Sequence, residues 1–104
     1  MRSLRVFLDE KKKEGYRTTR GTTIKGKSGA RHPVDYLLEK QGGGKEVGLK
    51  GHQKTSAEEL IRLYMVALDC GTGAFYVVDM KLDETSEKLA SDYKIHTLAR
   101  DGAR

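Results

Sequence analysis

Cysteine is almost absent from this chain of 104 residues. Cys70 stands alone, which excludes a disulfide framework within the chain. His32, His52 and His96 are scattered, so no Cys/His cluster has zinc-binding spacing. Long hydrophobic runs are missing as well. No apolar stretch approaches the ~20 residues needed to cross a bilayer. The opening residues Met1-Arg2-Ser3-Leu4-Arg5 lack the apolar core of a signal peptide. A reducing, cytoplasmic setting without a membrane partner is therefore expected. Only 37% of the residues are hydrophobic and 34% are charged. That balance supports one core of modest area, hence a single domain over residues 1–104. The chain has no internal repeat and no low-complexity tract.

What the chain does have is positive charge. Lysine and arginine number 20 against 15 acids, a net +5, and the pI is about 9.4. A basic balance favours phosphate-rich partners through counterion release.

Leu4, Phe7 and Leu8 recur at helical spacing, which predicts a first helix near residues 2–14, ended by Gly15. Threonine-rich Tyr16–Ile24 reads as a strand. Lys25–His32, with Gly26 and Gly29, reads as a loop or strand end. Val34–Lys40 is a second strand with Pro33 at its entrance, where a missing N–H is harmless. Gly42-Gly43-Gly44 turns the chain into a third strand, Lys45–Lys50. Thr55-Ser56-Ala57-Glu58-Glu59 holds two overlapping capping boxes and starts a helix. Leu60, Ile61, Tyr64, Ala67 and Leu68 mark its apolar face, and Cys70-Gly71 closes it. Phe75–Val78 is a continuous apolar run, expected to be buried on both sides. Asp83 or Thr85 caps a short helix through Leu89 and Ala90, and Lys94–Leu98 alternates as a last strand. The order is α-β-β-β-α-β-α-β. A helix between strands implies a crossover, so the central sheet is mixed and flanked by helices.

One tempting motif fails on context. Gly21–Ser28 fits the phosphate-loop pattern GxxxxGK[ST], and Phe75–Asp79 resembles its companion acidic strand. A phosphate loop must follow a buried strand and open a helix. Here Tyr16–Arg20 is mostly polar, and Gly29-Ala30-Arg31-His32-Pro33 cannot be helical. No nucleotide cofactor is expected.

Strand alternation places Glu46, Gly48 and Lys50 on one face and Val47 and Leu49 on the other. A hairpin through the three glycines brings Asp35 beside Gly48–Lys50. Metal-dependent phosphodiester hydrolysis uses carboxylates to hold a divalent ion and a cation to offset developing charge. An acid on one strand and a lysine on its neighbour meet part of that need. Glu46 shares the face of Lys50 but lies roughly 6–7 Å beyond Gly48 along the strand.

At these residues the chain resembles the PD-(D/E)xK nuclease superfamily, of restriction-endonuclease-like fold. It looks most like the Mrr-like type IV restriction branch and archaeal Holliday junction resolvases. The matching segments are Gly26-Lys27-Ser28-Gly29, His32-Pro33-Val34-Asp35, Val47-Gly48-Leu49-Lys50, the helix that follows with Glu58-Glu59-Leu60, Phe75-Tyr76-Val77-Val78 and Ala90–Ile95. They span nearly the whole chain in the family's order. The resemblance implies a DNA endonuclease that uses Mg²⁺ or Mn²⁺ and pairs as a homodimer. Asp35 would be the metal-binding aspartate and Lys50 the catalytic lysine. The Leu49 backbone carbonyl would be a further ligand, and Glu10 an additional acid on the first helix. Gly48 departs from the pattern, because it stands where the second acid belongs. Glu58 and Glu59 are candidates to replace that acid, although capping is their commoner role. The basic loop Lys25, Lys27, Ser28, Arg31 and His32 would hold DNA phosphates, with Lys54 nearby. Lys11-Lys12-Lys13 reads as a solvated helix face. His52 and His96 carry no assigned role. Two alternatives stay open. One is the same fold kept as a DNA-binding module without catalysis; the other is a basic protein with no nucleic-acid role.

Overall fold

The computed structural model describes residues 1–52 and 55–100. The elements are α1 (Leu4–Lys13), β1 (Tyr16–Lys25), β2 (Arg31–Lys40), β3 (Lys45–Lys50), α2 (Ser56–Cys70), β4 (Gly73–Val78), α3 (Glu84–Asp92) and β5 (His96–Ala99). The strands form one sheet in the order β1-β2-β3-β4-β5. β1, β2 and β3 run antiparallel to one another; β3, β4 and β5 run parallel. The sheet is mixed, as the element order requires.

Helices cover both faces. Ser3 caps α1 by accepting from the Val6 N–H at 3.1 Å. Leu4 and Phe7 of α1 then pack on Tyr36, Leu38, Phe75, Val77 and Leu98. The larger cluster lies on the other face, where Leu60, Leu63 and Val66 of α2 meet Val47, Leu49 and Tyr76. Ala90 of α3 joins the same cluster. β4 serves both layers: Phe75 and Val77 face α1, while Ala74, Tyr76 and Val78 face α2. Each large side chain so buried contributes roughly 1.5–3 kcal/mol.

Three sequence expectations shift. The buried face of α2 is Ser56, Leu60, Leu63, Val66 and Ala67, whereas Ile61 and Leu68 are exposed. β2 begins at Arg31, so Pro33 lies inside the strand, opposite Thr23. β3 stops pairing at Tyr36 and leaves β2 one neighbour there, which is why a missing N–H is tolerated. β5 begins at His96 rather than Lys94, which has φ 57.

The β1–β2 hairpin bends sharply. Pairing runs through Arg20↔Tyr36 and resumes at Thr22↔Val34, skipping Gly21 and Asp35. Gly21 has φ +57, a conformation that favours glycine. Regular alternation would put Val34 and Tyr36 on one face. Instead Tyr36 packs under α1, and Val34 and Ile24 pack with α2. The far half of the hairpin thus curls over α2, and Asp35 sits at the bend.

Candidate functional site

Asp35 is half-buried at that bend. Its Oδ2 accepts the backbone N–H of Lys50 at 2.7 Å. This bond lies just past Tyr36↔Gly48, the last pair of the β2–β3 ladder. The expected acid and lysine are therefore adjacent, but through the lysine backbone. The Lys50 side chain is exposed, with its ammonium 5.9 Å from the centre of the Tyr36 ring. Arg20 places its guanidinium over the same ring at 5.3 Å. Among the described residues there is no ion pair between Lys50 and Asp35.

The same bond decides the role of Leu49. Its C=O and the Lys50 N–H belong to one planar trans peptide and point in opposite directions. With the N–H on Asp35, the Leu49 carbonyl is aimed away from that carboxylate. The two oxygens do not converge on one ion in this arrangement.

Gly48 is a packing requirement. A Cβ there would overlap the ring of Phe75, its partner on β4. That ring is fully buried, 5.0 Å from Phe7 and 5.7 Å from Tyr36, centre to centre. The place of a second acid is thus filled by an aromatic layer. Other acids lie elsewhere. Glu10 is exposed and paired with Arg2. Glu46 is held by Lys11 at 2.7 Å, at the far end of β3, about 13 Å from Lys50 by strand rise. Burial works against the Lys11 charge, yet the hydrogen bond and charge of Glu46 raise its pKa above the usual 10.5. Among the described residues, no group of three or more His, Cys, Asp or Glu side chains is placed to hold a metal. Among the described residues the expected donors do not converge: Asp35 stands at the bend and Glu58 is exposed in the first turn of α2, so the residues present do not complete the expected metal site.

The basic loop is clamped. Asp69, at the end of α2, accepts the Ser28 N–H at 2.9 Å and the Ser28 hydroxyl at 2.7 Å. His32 Nε2 lies 2.7 Å from the same carboxylate. These contacts, the His32 and Ser28 side chains first, lower the Asp69 pKa to about 2. Gly26 makes the approach possible, since a Cβ there would overlap the Asp69 carboxylate. Serine and histidine both bond the acid, so the trio is a clamp rather than a nucleophile–base relay. Ser28 and His32, expected on phosphates, are already engaged. Lys25 and Arg31 are exposed and paired across the strands, and Lys27 reaches toward Gly71 at the end of α2. Lys54 lies outside the described residues.

Glu59 turns back onto His52, accepting its N–H at 2.8 Å, with the ring Nδ1 at 3.0 Å from its other oxygen. The Tyr76 hydroxyl also donates to Glu59, at 2.5 Å. Burial opposes the Glu59 charge, but these bonds win and lower its pKa. Burial, then Glu59, pushes the Tyr76 phenol up to about 12. Sequence reasoning missed Asp69 and Tyr76 as polar partners and gave His52 no role. The bond from Tyr76 spans 17 residues and those to Asp69 span up to 41, beyond the reach of local pattern. The capping box expected from Thr55 does not form, since Thr55 makes no side-chain cap hydrogen bond and its hydroxyl donates to the His52 carbonyl, while Glu59 serves His52 and Tyr76 instead.

Charge is unevenly shared. Residues 1–50 carry 13 of the 20 lysines and arginines and 6 of the 15 acids. The stretch that forms α1, β1, β2 and β3 is therefore the basic half of the chain.

No protein-family model and no curated protein matches the chain. Among solved structures it is similar to the crystal structure of a protein of unknown function, AF1548. The TM-score is 0.66 at 16% identity, over 89% of this chain and 54% of that one. The chain thus spans about half the length of that relative. A likeness at this identity concerns the fold. Among the described residues no helix is long and apolar enough to cross a membrane.

Proposed function

We propose that this chain is a nucleic-acid-binding module of restriction-endonuclease-like fold whose hydrolytic site is left incomplete. The observation that carries the incomplete site is Gly48 packed beneath Phe75, which leaves no space for a second acid. The Leu49 carbonyl, aimed away from Asp35 toward the β4 side of β3, adds to it. The fold reading is supported by the element order and by the five-stranded mixed sheet between helices. Nucleic-acid binding is supported by the net positive charge and its concentration in the half of the chain that forms α1 to β3, a charge balance that favours phosphate-rich partners.

The test is a pair of assays on labelled duplex, branched and single-stranded DNA. The expected result is salt-dependent binding, with no cleavage when Mg²⁺ or Mn²⁺ is added. A metal-dependent endonuclease is the second reading, and Asp35 held beside Lys50 favours it. Cleavage abolished by both Asp35→Ala and Lys50→Ala would establish it and overturn the incomplete site. Absence of binding to any of the three substrates near physiological salt would overturn both.

A further inference from the structure

We propose that the groove between α1 and β1 carries a nucleic-acid backbone toward Asp35 and Lys50. The inference rests on the nucleic-acid reading above and gives it a path. Arg5 and Lys12 line the helix wall of this groove, Thr18 and Arg20 line the strand wall, and Arg17, which alternation turns to the other face of β1, borders it at the strand edge. Asp9 is the one acid among the lining residues. None of these cations belongs to the loop that the sequence pattern singled out, and that loop is held by Asp69.

Spacing suits the ligand. Arg5 and Lys12 are two helical turns apart, about 10 Å along the axis. A backbone that advances roughly 3.4 Å per nucleotide meets about three phosphates over that length. β1 also adds donors of its own. It is an edge strand, so its outer N–H groups pair with no neighbouring strand, and Thr18 lines the groove as well. Backbone N–H groups and threonine hydroxyls are ordinary phosphate ligands.

The groove has a direction. Arg20 is held over Tyr36, and Lys50 lies over the same ring. The two cations join the end of the groove to the bend that holds Asp35. A strand following the groove passes the acid and lysine that the fold brings together. The length of the cationic track and its single acid favour a polyphosphate chain over a small anion.

The experiment uses fluorescence anisotropy with 5′-labelled single-stranded and duplex oligonucleotides across a salt series. Three variants of the full chain are compared with the wild type. Arg17→Glu/Arg20→Glu breaks the strand wall, and Arg5→Glu/Lys12→Glu breaks the helix wall. Lys81→Glu/Lys88→Glu changes equal charge on the α3 side, where both lysines are exposed. Each groove variant is expected to bind at least tenfold more weakly. Each should also flatten the plot of log affinity against log salt by about 2, because two cations no longer displace counterions from the phosphates. The α3-side variant should keep its salt slope near the wild-type value. Folding of every variant is checked by its thermal melt. If the wild type binds and both groove variants bind as tightly, the groove is overturned while the nucleic-acid reading stands. If the wild type binds neither oligonucleotide, that reading fails and takes the groove with it. Displacement of the oligonucleotide by polyglutamate at equal charge concentration would reassign the groove to acidic peptides and overturn the proposal.

Discussion

Asp35 and Asp69 both bond to backbone N–H groups across strands or loops, and the fold surrounds them differently. Asp69 takes the Ser28 N–H, the Ser28 hydroxyl and the His32 ring. Among the described residues Asp35 takes the Lys50 N–H alone, with the cations of Lys50 and Arg20 standing over Tyr36 beside it. A carboxylate has about four acceptor positions. Asp69 uses most of them to hold a loop against a helix end. Asp35 keeps most of them open at a bend that costs the hairpin a regular pair. The first arrangement fixes structure, and the second leaves an acid available to a ligand. Glu59 belongs with Asp69, since His52 and Tyr76 both serve it.

The largest effect should come from forcing the Asp35 side toward a two-acid site. Gly48→Glu drives a side chain into the Phe75 ring and should lower stability by roughly 2–3 kcal/mol. Phe75→Ala alone should cost roughly 3–5 kcal/mol by leaving a cavity. The double variant should cost clearly less than the two losses added, because the glutamate then occupies the vacated space. Urea denaturation of the three variants measures this. Strict additivity would mean that the ring and the acid do not compete for one place.

Next in size is the engaged carboxylate on α2. Tyr76→Phe removes the hydroxyl donor to Glu59 and should cost roughly 1.5–3 kcal/mol, the range for a hydrogen bond to a charged group. The Glu59 pKa should rise, because its strongest favourable partner is gone. Carboxyl ¹³C titration reads the shift. An unmoved Glu59 would remove it from the company of Asp69.

For Asp69 the readout is acid. Its pKa falls from 3.8 to about 2 on folding. The unfolded chain therefore binds the proton first, and the stabilisation is fully present above pH 3.8. It is lost as pH drops toward 2. Asp69→Asn should melt at a lower temperature than wild type at pH 6, and the gap should narrow steadily between pH 4 and pH 2. A gap that stays constant over that window would show that ionisation of Asp69 has no part in the clamp.

These distinctions were unequally legible in the sequence. Leu4 and Phe7 of α1, the apolar run of β4 and the glycine turn into β3 are local patterns, and each element formed where its pattern lay. The buried face of α2 was harder. Apolar letters run almost around that helix, so Ile61 and Leu68 entered the expected face while Leu63 and Val66 hold the actual one. Asp35 beside Lys50 followed from hairpin register, a short-range property. That they meet through the lysine N–H depends on the bend at Gly21, which alternation alone does not predict. Gly48 was visible as a missing acid, but Phe75 above it was not, because the parallel β3–β4 register forms only after α2 has crossed over. Asp69 was hidden for the same reason, being 41 residues from Ser28.

The smallest stability effect is expected at Asp35, and it separates the two aspartates most directly. Asp35→Asn keeps an oxygen that can accept the Lys50 N–H and removes only the charge. A single partly solvated hydrogen bond contributes about 1 kcal/mol or less, so the melt should barely move. Nucleic-acid affinity should move the other way. Removing an anion beside Lys50 and Arg20 makes the bend more positive, and binding at low salt should tighten by a few fold. Anisotropy at 50 mM and 200 mM salt measures this, and the gain should shrink at the higher concentration because exposed charges are screened over ~10 Å or less. If Asp35→Asn instead unfolds the chain as readily as loss of the Asp69 clamp, Asp35 is another strut of the hairpin and the contrast between the two acids disappears.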